Sequence, residues 1–553
     1  MAKIHVTQIE GALTKYFSSL VDMSDYKTHK DPGEVHNAFL TRALAAFSLV
    51  HVLDISPEIA GAAVTDGIGD KGIDAVHFDS NERMLYLVQS KWHADGTSTI
   101  DQAEVLKFIS GVRSILDAEF DKFNDKVKSK KSEIVKALYD GAAKFTLLII
   151  YTGQTNLAKE PQEELDNFLR AQNDTSEIVF AKVFKQGDIH KALATGISGA
   201  PIDLDIQLRD WGQMREPFFS IYGQVAATDV ANWYNTYAPR IFSPNLRMFL
   251  GKTTPNSDII ETLTDRPDQF WYFNNGITAI CSKIEKKPIG GDSRDSGIFE
   301  CQGVYIVNGA QTAGSIYEAW KADAACVERA RVPIRFISLE KCPQDFGTEV
   351  TRFNNTQNAI EKRDFVALDP EQERIRQELA IDGVTYMYKS SSEAPTQASS
   401  FDLTEATIAL ACSSEDVAYS VQAKREIGKL WEDISKAPYK ALFNSGVVGP
   451  KLWELVQLAK EIEKNLQLLG AALSGRDQLI TIHGNRFIAY LVFRKIRSMA
   501  EVPLREKLEK IQLAVLEYSH ALISVVKEKY PDSYPANLFK NLRKCKVLAD
   551  SIS

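Results

Sequence analysis

The sequence is poor in cysteine. Its six cysteines, Cys281, Cys301, Cys326, Cys342, Cys412 and Cys545, include no C-x-x-C pair, which argues against a zinc ribbon and against a disulfide scaffold and fits a reduced cytosolic setting. Long apolar runs are also missing. The start, MAKIHVTQIEGAL, has no secretory core, and no run approaches the roughly 18 residues of a membrane helix. The expectation is a soluble cytoplasmic protein with no membrane partner. There is no basic excess: 65 Lys and Arg face 73 Asp and Glu, a formal net charge of -8. A nucleic-acid partner would have to be met by a local patch. Internal repeats and low-complexity tracts are absent, which argues against solenoids and disordered arrays.

What is present is ordinary globular material, 44% hydrophobic and 25% charged. At about 100 to 200 residues per domain, the length predicts two to four domains. Residues 33–53 repeat apolar positions at helical spacing. GIDAVHF and MLYLVQSKW read as two strands joined by SNER, and KFTLLIIYTG and EIVFAKVF as two more. PQEELDNFLRAQ reads as a helix between the last two. Residues 1–195 are therefore expected to form one α/β domain, 196–400 an α+β core domain and 401–553 a helical region. GGDSRDSG, residues 290–297, is expected to be a surface hairpin loop, and residues Lys122 to Lys136 a lysine-rich helix able to meet DNA.

The stretch GIDAVHFDSNERMLYLVQSKWH places polar groups where a core strand has no use for them. Asp74 heads one strand. Gln89 and Lys91, two apart and on one face, end its partner. Fifteen residues from Asp74 to Gln89 suit a hairpin that sets the three side by side. Glu34, on the preceding helix, is a further candidate ligand. Phosphodiester hydrolysis needs hard oxygen ligands for a divalent cation and a positive group at the phosphate. His77 and His93 read as bystanders.

These residues resemble the PD-(D/E)xK nuclease superfamily, and most closely its Mrr-like branch with Q-x-K at the strand end. The resemblance implies a restriction-endonuclease-like α/β fold, an Mg2+ (or Mn2+) cofactor and DNA as substrate. Asp74 would bind the metal and Glu34 would assist. Gln89 would take the second acid's place with a neutral oxygen, and Lys91 would orient water and offset phosphate charge.

A second set of motifs is rich in amides: WYFNNGITAIC, VYIVNGAQTAGSIYEAW and VTRFNNTQNAIEKRDF. Asn and Gln donate and accept without titrating, which suits recognition of bases, riboses or phosphates better than acid–base chemistry. Structural Asx turns are the other reading. The candidate binding residues are Asn274, Asn275, Asn308, Gln311, Thr312, Arg352, Asn354, Asn355, Gln357 and Arg363, with Lys362 as a further phosphate partner. Together with RIFSPNLRMFLG, containing Asn245 and Arg247, these motifs resemble the AIPR (abortive infection phage resistance) family. That implies anti-phage defence. A looser similarity to ParB-like nucleotide-binding modules implies a nucleotide or nucleic-acid end as ligand.

The C-terminal third alternates charge at i,i+4 spacing, as support or partner-contact helices do, and leaves room for a homo-oligomer. His483, Asn485 and Arg486 read as a helix start, either an anion contact or a cap. Two functions remain open on sequence grounds: a metal-dependent DNA endonuclease with a nucleic-acid- or nucleotide-sensing module, and a binding regulator whose nuclease domain is degenerate.

Overall fold

The computed structural model describes residues 2–53, 55–80, 82–194, 201–238, 240–242, 257–288, 293–343, 345–356, 366–389, 399–499 and 502–552. The chain forms two compact units. The first comprises Met1–Ala46, Gly61–Gln186 and Ala359–Ser553, and the second Phe47–Ala60 and Gly187–Asn358. The N-terminal α/β segment thus shares a unit with the C-terminal helices.

In the first unit, helix α1 (Pro32–Leu53) precedes a four-stranded sheet ordered β1 (Ala75–Asp79), β2 (Met84–Lys91), β3 (Lys144–Tyr151) and β4 (Val179–Phe184). β1 and β2 form an antiparallel hairpin, whereas β2, β3 and β4 run parallel. Parallel neighbours require crossovers. Those that follow β2 and β3 carry helices α2 (Gln102–Leu116) and α3 (Lys159–Gln172). β2 and β3 are buried along nearly their whole length, so they read as unbroken apolar runs rather than alternating ones. Leu85, Leu87, Phe108, Val112, Phe145 and Leu147 form the core between sheet and helices.

The stretch expected as one lysine-rich helix is broken into a 3-10 turn (Phe120–Lys122) and two helices, Asp125–Ser129 and Lys131–Tyr139. Asn124, in extended conformation, accepts the Val127 N–H at 2.9 Å and restarts the helix. Lys122, Lys126, Lys128 and Lys130 pair with nearby acids, so much of the expected patch is already neutralised.

The C-terminal helices pack around Phe487, Leu491, Ile511 and Leu522. His483 is buried rather than presented to an anion. Its Nε2 meets the Leu138 carbonyl at 2.7 Å, and burial pushes its pKa down to about 3. Asn485 accepts from Lys424, and Arg486 pairs with Glu463. No described helix is long and apolar enough to cross a membrane.

The second unit is built on a seven-stranded sheet. Its strands are β5 (Leu204–Met214), β6 (Ser220–Ala226), β7 (Ile277–Cys281), β8 (Lys283–Lys286), β9 (Ser296–Gln302), β10 (Tyr305–Asn308) and β11 (Arg331–Ser338), in the order β10-β7-β11-β6-β5-β9-β8. β7 and β11 are parallel and the other neighbours antiparallel. Of the expected hairpin loop at 290–297, residues 293–295 lie between β8 and β9, Ser296 and Gly297 already belong to β9, and 289–292 fall outside the described residues. Helices α4 (Ala227–Tyr237) and α5 (Ala310–Ala322) cover one face through Val230, Trp233, Ala313 and Ile316. Helix α6 (Phe346–Thr356) covers the other through Val350, against Ile280 and Val307. Alternation along β7 explains the division, since Ala279 joins the first core and Ile280 the second.

Candidate functional site

Asp74 does not stand alone. The loop DGIGDKGID brings Asp66, Asp70 and Asp74 together, with one carboxylate oxygen of each within 4.8 Å of the others. It is the only such cluster of acids, histidines or cysteines among the described residues. Backbone pairing builds it. The Asp74 N–H donates to the Val88 carbonyl at 2.7 Å, and the Asp74 carbonyl accepts from the N–H groups of Thr65 and Asp66 at 2.8 and 3.1 Å. Asp66 is thereby laid beside Asp74. The Asp70 carboxylate folds the loop on itself by accepting the N–H groups of Gly67 and Gly72 at 2.9 and 2.7 Å. Gly72, at φ +80, lets the loop pass α2. A Cβ there would sit 3.2 Å from the Phe108 backbone in a conformation L side chains rarely adopt.

The cluster is short of positive charge. Asp74 is fully buried, and burial, followed by the charges of Asp66 and Asp70, raises its pKa well above the ordinary carboxylate range. Ser90 opposes this only in part, donating its N–H to Asp74 Oδ2 at 2.6 Å, with its hydroxyl oxygen 3.1 Å from the same atom. Asp66 is raised too, by burial first, against the bond from Arg42. Arg42 is itself buried and shared, reaching Asp25 Oδ2 at 2.6 Å and Asp66 Oδ2 at 2.7 Å. Lys107 of α2 reaches Asp70 at 3.0 Å.

β1 and β2 pair from Ala75↔Val88, and Asp74, just before β1, holds β2 through the Val88 carbonyl and the Ser90 N–H. Gln89 is buried. Its Nε2 donates to the Glu104 carbonyl at 3.0 Å, while its Oε1 has no partner among the described residues. Lys91 forms an ion pair with the Glu104 carboxylate. One residue of α2 therefore holds both members of the Q-x-K pair, its main chain taking Gln89 and its side chain Lys91. Glu34 is placed elsewhere. It is largely exposed in the first turn of α1, pairs with His29 at 3.3 Å and is not among the three clustered acids. The spacing along α1 explains this, because α1 meets β2 at Thr41, whose carbonyl accepts the Ser90 hydroxyl, about two turns beyond Glu34. His77 and His93 are both shifted down, by burial first.

The amide motifs also converge, within the second unit. Asn308 ends β10 and donates to the Asn354 carbonyl of α6 at 2.7 Å. Asn354 Oδ1 accepts from Arg335 of β11, whose Nε donates to the Thr278 hydroxyl of β7 at 2.9 Å. Asn274 Oδ1 accepts from the Gly276 N–H at 2.9 Å and the Thr312 hydroxyl at 3.3 Å. Gly309, at φ +95, starts α5. A Cβ there would lie 2.8 Å from the Gly276 carbonyl, which ties the two Asn-Gly turns together. Asn275 and Gln311 are exposed on the same rim. Gln357, Lys362, Arg363, Asn245 and Arg247 lie outside the described residues, as do the side chains of Arg352 and Asn355.

Sequence reasoning missed Asp66, Asp70, Ser90, Glu104 and Arg335. Glu104 carried a signal. Asp101-x-x-Glu104 is a helix-start signature, and Asp101 does cap α2 by accepting the Glu104 N–H at 2.8 Å.

The family model described as AIPR protein matches residues 242–541, more than half of the chain. No curated protein and no solved structure gives a significant match.

Proposed function

The chain belongs to the AIPR family, whose members are associated with abortive infection and anti-phage defence, and from that premise we propose that it acts there as a divalent-cation-dependent DNA endonuclease. The observation that carries this reading is the Asp66–Asp70–Asp74 cluster, joined through Asp74 to Ser90, the residue between Gln89 and Lys91 on β2. The donor set fits Mg2+ or Mn2+. It offers three hard carboxylates, two of them, Asp66 and Asp74, raised by burial first, and an amide oxygen on Gln89 that is buried with no partner among the described residues. Asp66, Asp70 and Asp74 would hold the cation, with Gln89 Oε1 as a neutral fourth donor. When bound, it neutralises charge on a phosphoryl oxygen and acidifies water. Lys91, oriented by Glu104, would present its ammonium to the phosphate. Glu34 has no part in this arrangement.

The second unit would bind nucleic acid or a nucleotide through its amide rim. The competing function, a binding regulator with a degenerate nuclease, is favoured by one observation: Lys91 is already engaged by Glu104. The two separate on a plasmid incubated with the protein and Mg2+ or Mn2+. The nuclease reading expects nicking or linearisation, abolished in Asp74→Asn and Lys91→Ala. Cleavage unchanged in both variants, or absent from the wild type with either metal, rejects it.

A further inference from the structure

Three large aromatic side chains in a row face solvent in the second unit. Trp271, Tyr272 and Phe273 are 43%, 75% and 59% exposed. They occupy a single helical turn, Phe270–Phe273, pinned by Phe270, which is buried. The next residues are Asn274 and Asn275. Burying such a side chain is worth about 1.5 to 3 kcal/mol. A fold that pins the turn and leaves three outside forgoes a substantial gain. Isolated exposed apolar residues need no explanation, but a contiguous patch marks a contact surface.

The rim beside this patch is polar in a particular way. Arg335 is clamped by Nε to Thr278 and by Nη2 to Asn354, which leaves Nη1 without a partner among the described residues. Asn274 uses only its oxygen, so its Nδ2 is unspent. Asn275 and Gln311 make no side-chain bond among the described residues. The rim therefore presents oriented donors, one of them cationic. Arg266 lies over the Phe273 ring, 5.5 Å from its centroid, and Asp268 on the preceding turn is tied to Arg329 at 3.0 Å. Stacking faces beside amides and a fixed guanidinium match the chemistry of unpaired nucleobases on a phosphate backbone. A duplex hides those faces, and a protein partner would not call for so many unspent donors.

We infer that Trp271, Tyr272 and Phe273 form a stacking shelf for single-stranded nucleic acid, with Arg335 and the adjoining amides taking phosphate oxygens and base edges. This rests on reading the second unit as a nucleic-acid-binding module, and goes further by naming the strand state and the residues that select it.

The test uses the full chain in EDTA, so that no cleavage intervenes. The probes are a fluorescein-labelled single strand of about 12 nucleotides and the matching duplex, a length within the span of known single-strand grooves. The single strand should bind more tightly than the duplex, and more weakly as salt rises. The double variant Trp271→Ala/Tyr272→Ala should lose roughly tenfold or more in single-strand affinity, the scale of one lost base stack. Its melting temperature should hold, because both side chains are exposed. Asn275→Ala, also exposed, should weaken binding several-fold, while Leu513→Ala, exposed on a C-terminal helix, should leave it unchanged. Binding that ignores the aromatic substitutions, or a preference for duplex, overturns the shelf while sparing the module. Failure of both probes to bind overturns both. If the aromatic variant instead shifts the sedimentation of the free protein, with oligonucleotide affinity unmoved, the patch is a self-association surface and the inference is wrong.

Discussion

Replacing Asp74 with asparagine should make the protein more stable in chelator while removing its response to divalent cations. Carboxylate oxygens of Asp66, Asp70 and Asp74 lie within 4.8 Å of one another. Two unit charges at that separation repel by about 3.5 kcal/mol at an effective dielectric of 20. Asp74, fully buried, avoids part of this by holding its proton to higher pH than an ordinary carboxylate. Asparagine keeps the shape and can still accept the Ser90 N–H, so the substitution removes repulsion and burial cost without opening a cavity. A gain of about 1 to 3 kcal/mol at pH 7.5 follows, the repulsion estimate being an upper guide.

The pH dependence has a definite sign. A carboxylate whose folded pKa is raised makes the folded state bind more protons than the unfolded one between the two pKa values. Unfolding free energy then falls as pH rises from the ordinary carboxylate range near 4 through the raised folded value. The difference between wild type and Asp74→Asn isolates this term from carboxylates that shift the other way, such as Asp25, which the Arg42 bond holds at about 2. A cation at 100 times its dissociation constant adds about 2.7 kcal/mol. In a unit of several hundred residues that is roughly 3 to 4 °C. Thermal unfolding across pH 4–8, in EDTA and in Mg2+ or Mn2+, reads all three effects. A wild type indifferent to both cations, together with a variant no more stable than wild type in EDTA, would refute the charge-starved site.

Three further outcomes are expected. Gln89→Glu puts a carboxylate in a buried position, so it should lower the melting temperature in EDTA by a few degrees and, if position 89 is a ligand, tighten Mn2+ binding, read by titration calorimetry. Glu104→Ala frees Lys91 and should cut cleavage at least tenfold while leaving the cation-induced thermal shift intact; loss of that shift would mean Glu104 is itself a ligand. Asn354→Ala breaks the clamp on Arg335 and should cost about 1 to 2 kcal/mol in urea unfolding, the scale of a lost hydrogen bond plus a group left unpaired.

The strands of the first unit were legible because β2 and β3 are covered on both faces, which turns burial into the unbroken runs MLYLV and FTLLII. The order helix, strand, strand, helix, strand, helix, strand followed from them. The lysine-rich helix misled because composition does not report where a cap such as Asn124 restarts the backbone. Gln89 and Lys91 were legible from strand alternation as a pair on one face, and Glu104 meets both. Asp66 and Asp70 were not, since D-G-I-G-D reads as a turn until the Asp74 carbonyl is seen to pair with the N–H groups of Thr65 and Asp66. Glu34 failed for the converse reason. A helix-borne acid near in sequence is positioned by where the helix meets the sheet, and α1 does so at Thr41.

The amide motifs show the same limit from the other side. Their composition announced hydrogen bonding, but not which bonds the fold would consume. Asn308 and Asn354 are spent on joining β10, α6 and β11, so they are first of all structural, and substitutions there report on stability as well as on binding. Asn275, Gln311, Asn274 Nδ2 and Arg335 Nη1 are the capacity left over. That remainder, rather than the motif count, locates what the second unit can offer a ligand. It lies beside Trp271, Tyr272 and Phe273, consecutive aromatics that the fold leaves exposed. Substitutions of the spent Asn308 and Asn354 and of the exposed Asn275 and Gln311 should therefore separate cleanly: the first pair moves the melting temperature, the second moves oligonucleotide affinity at constant melting temperature.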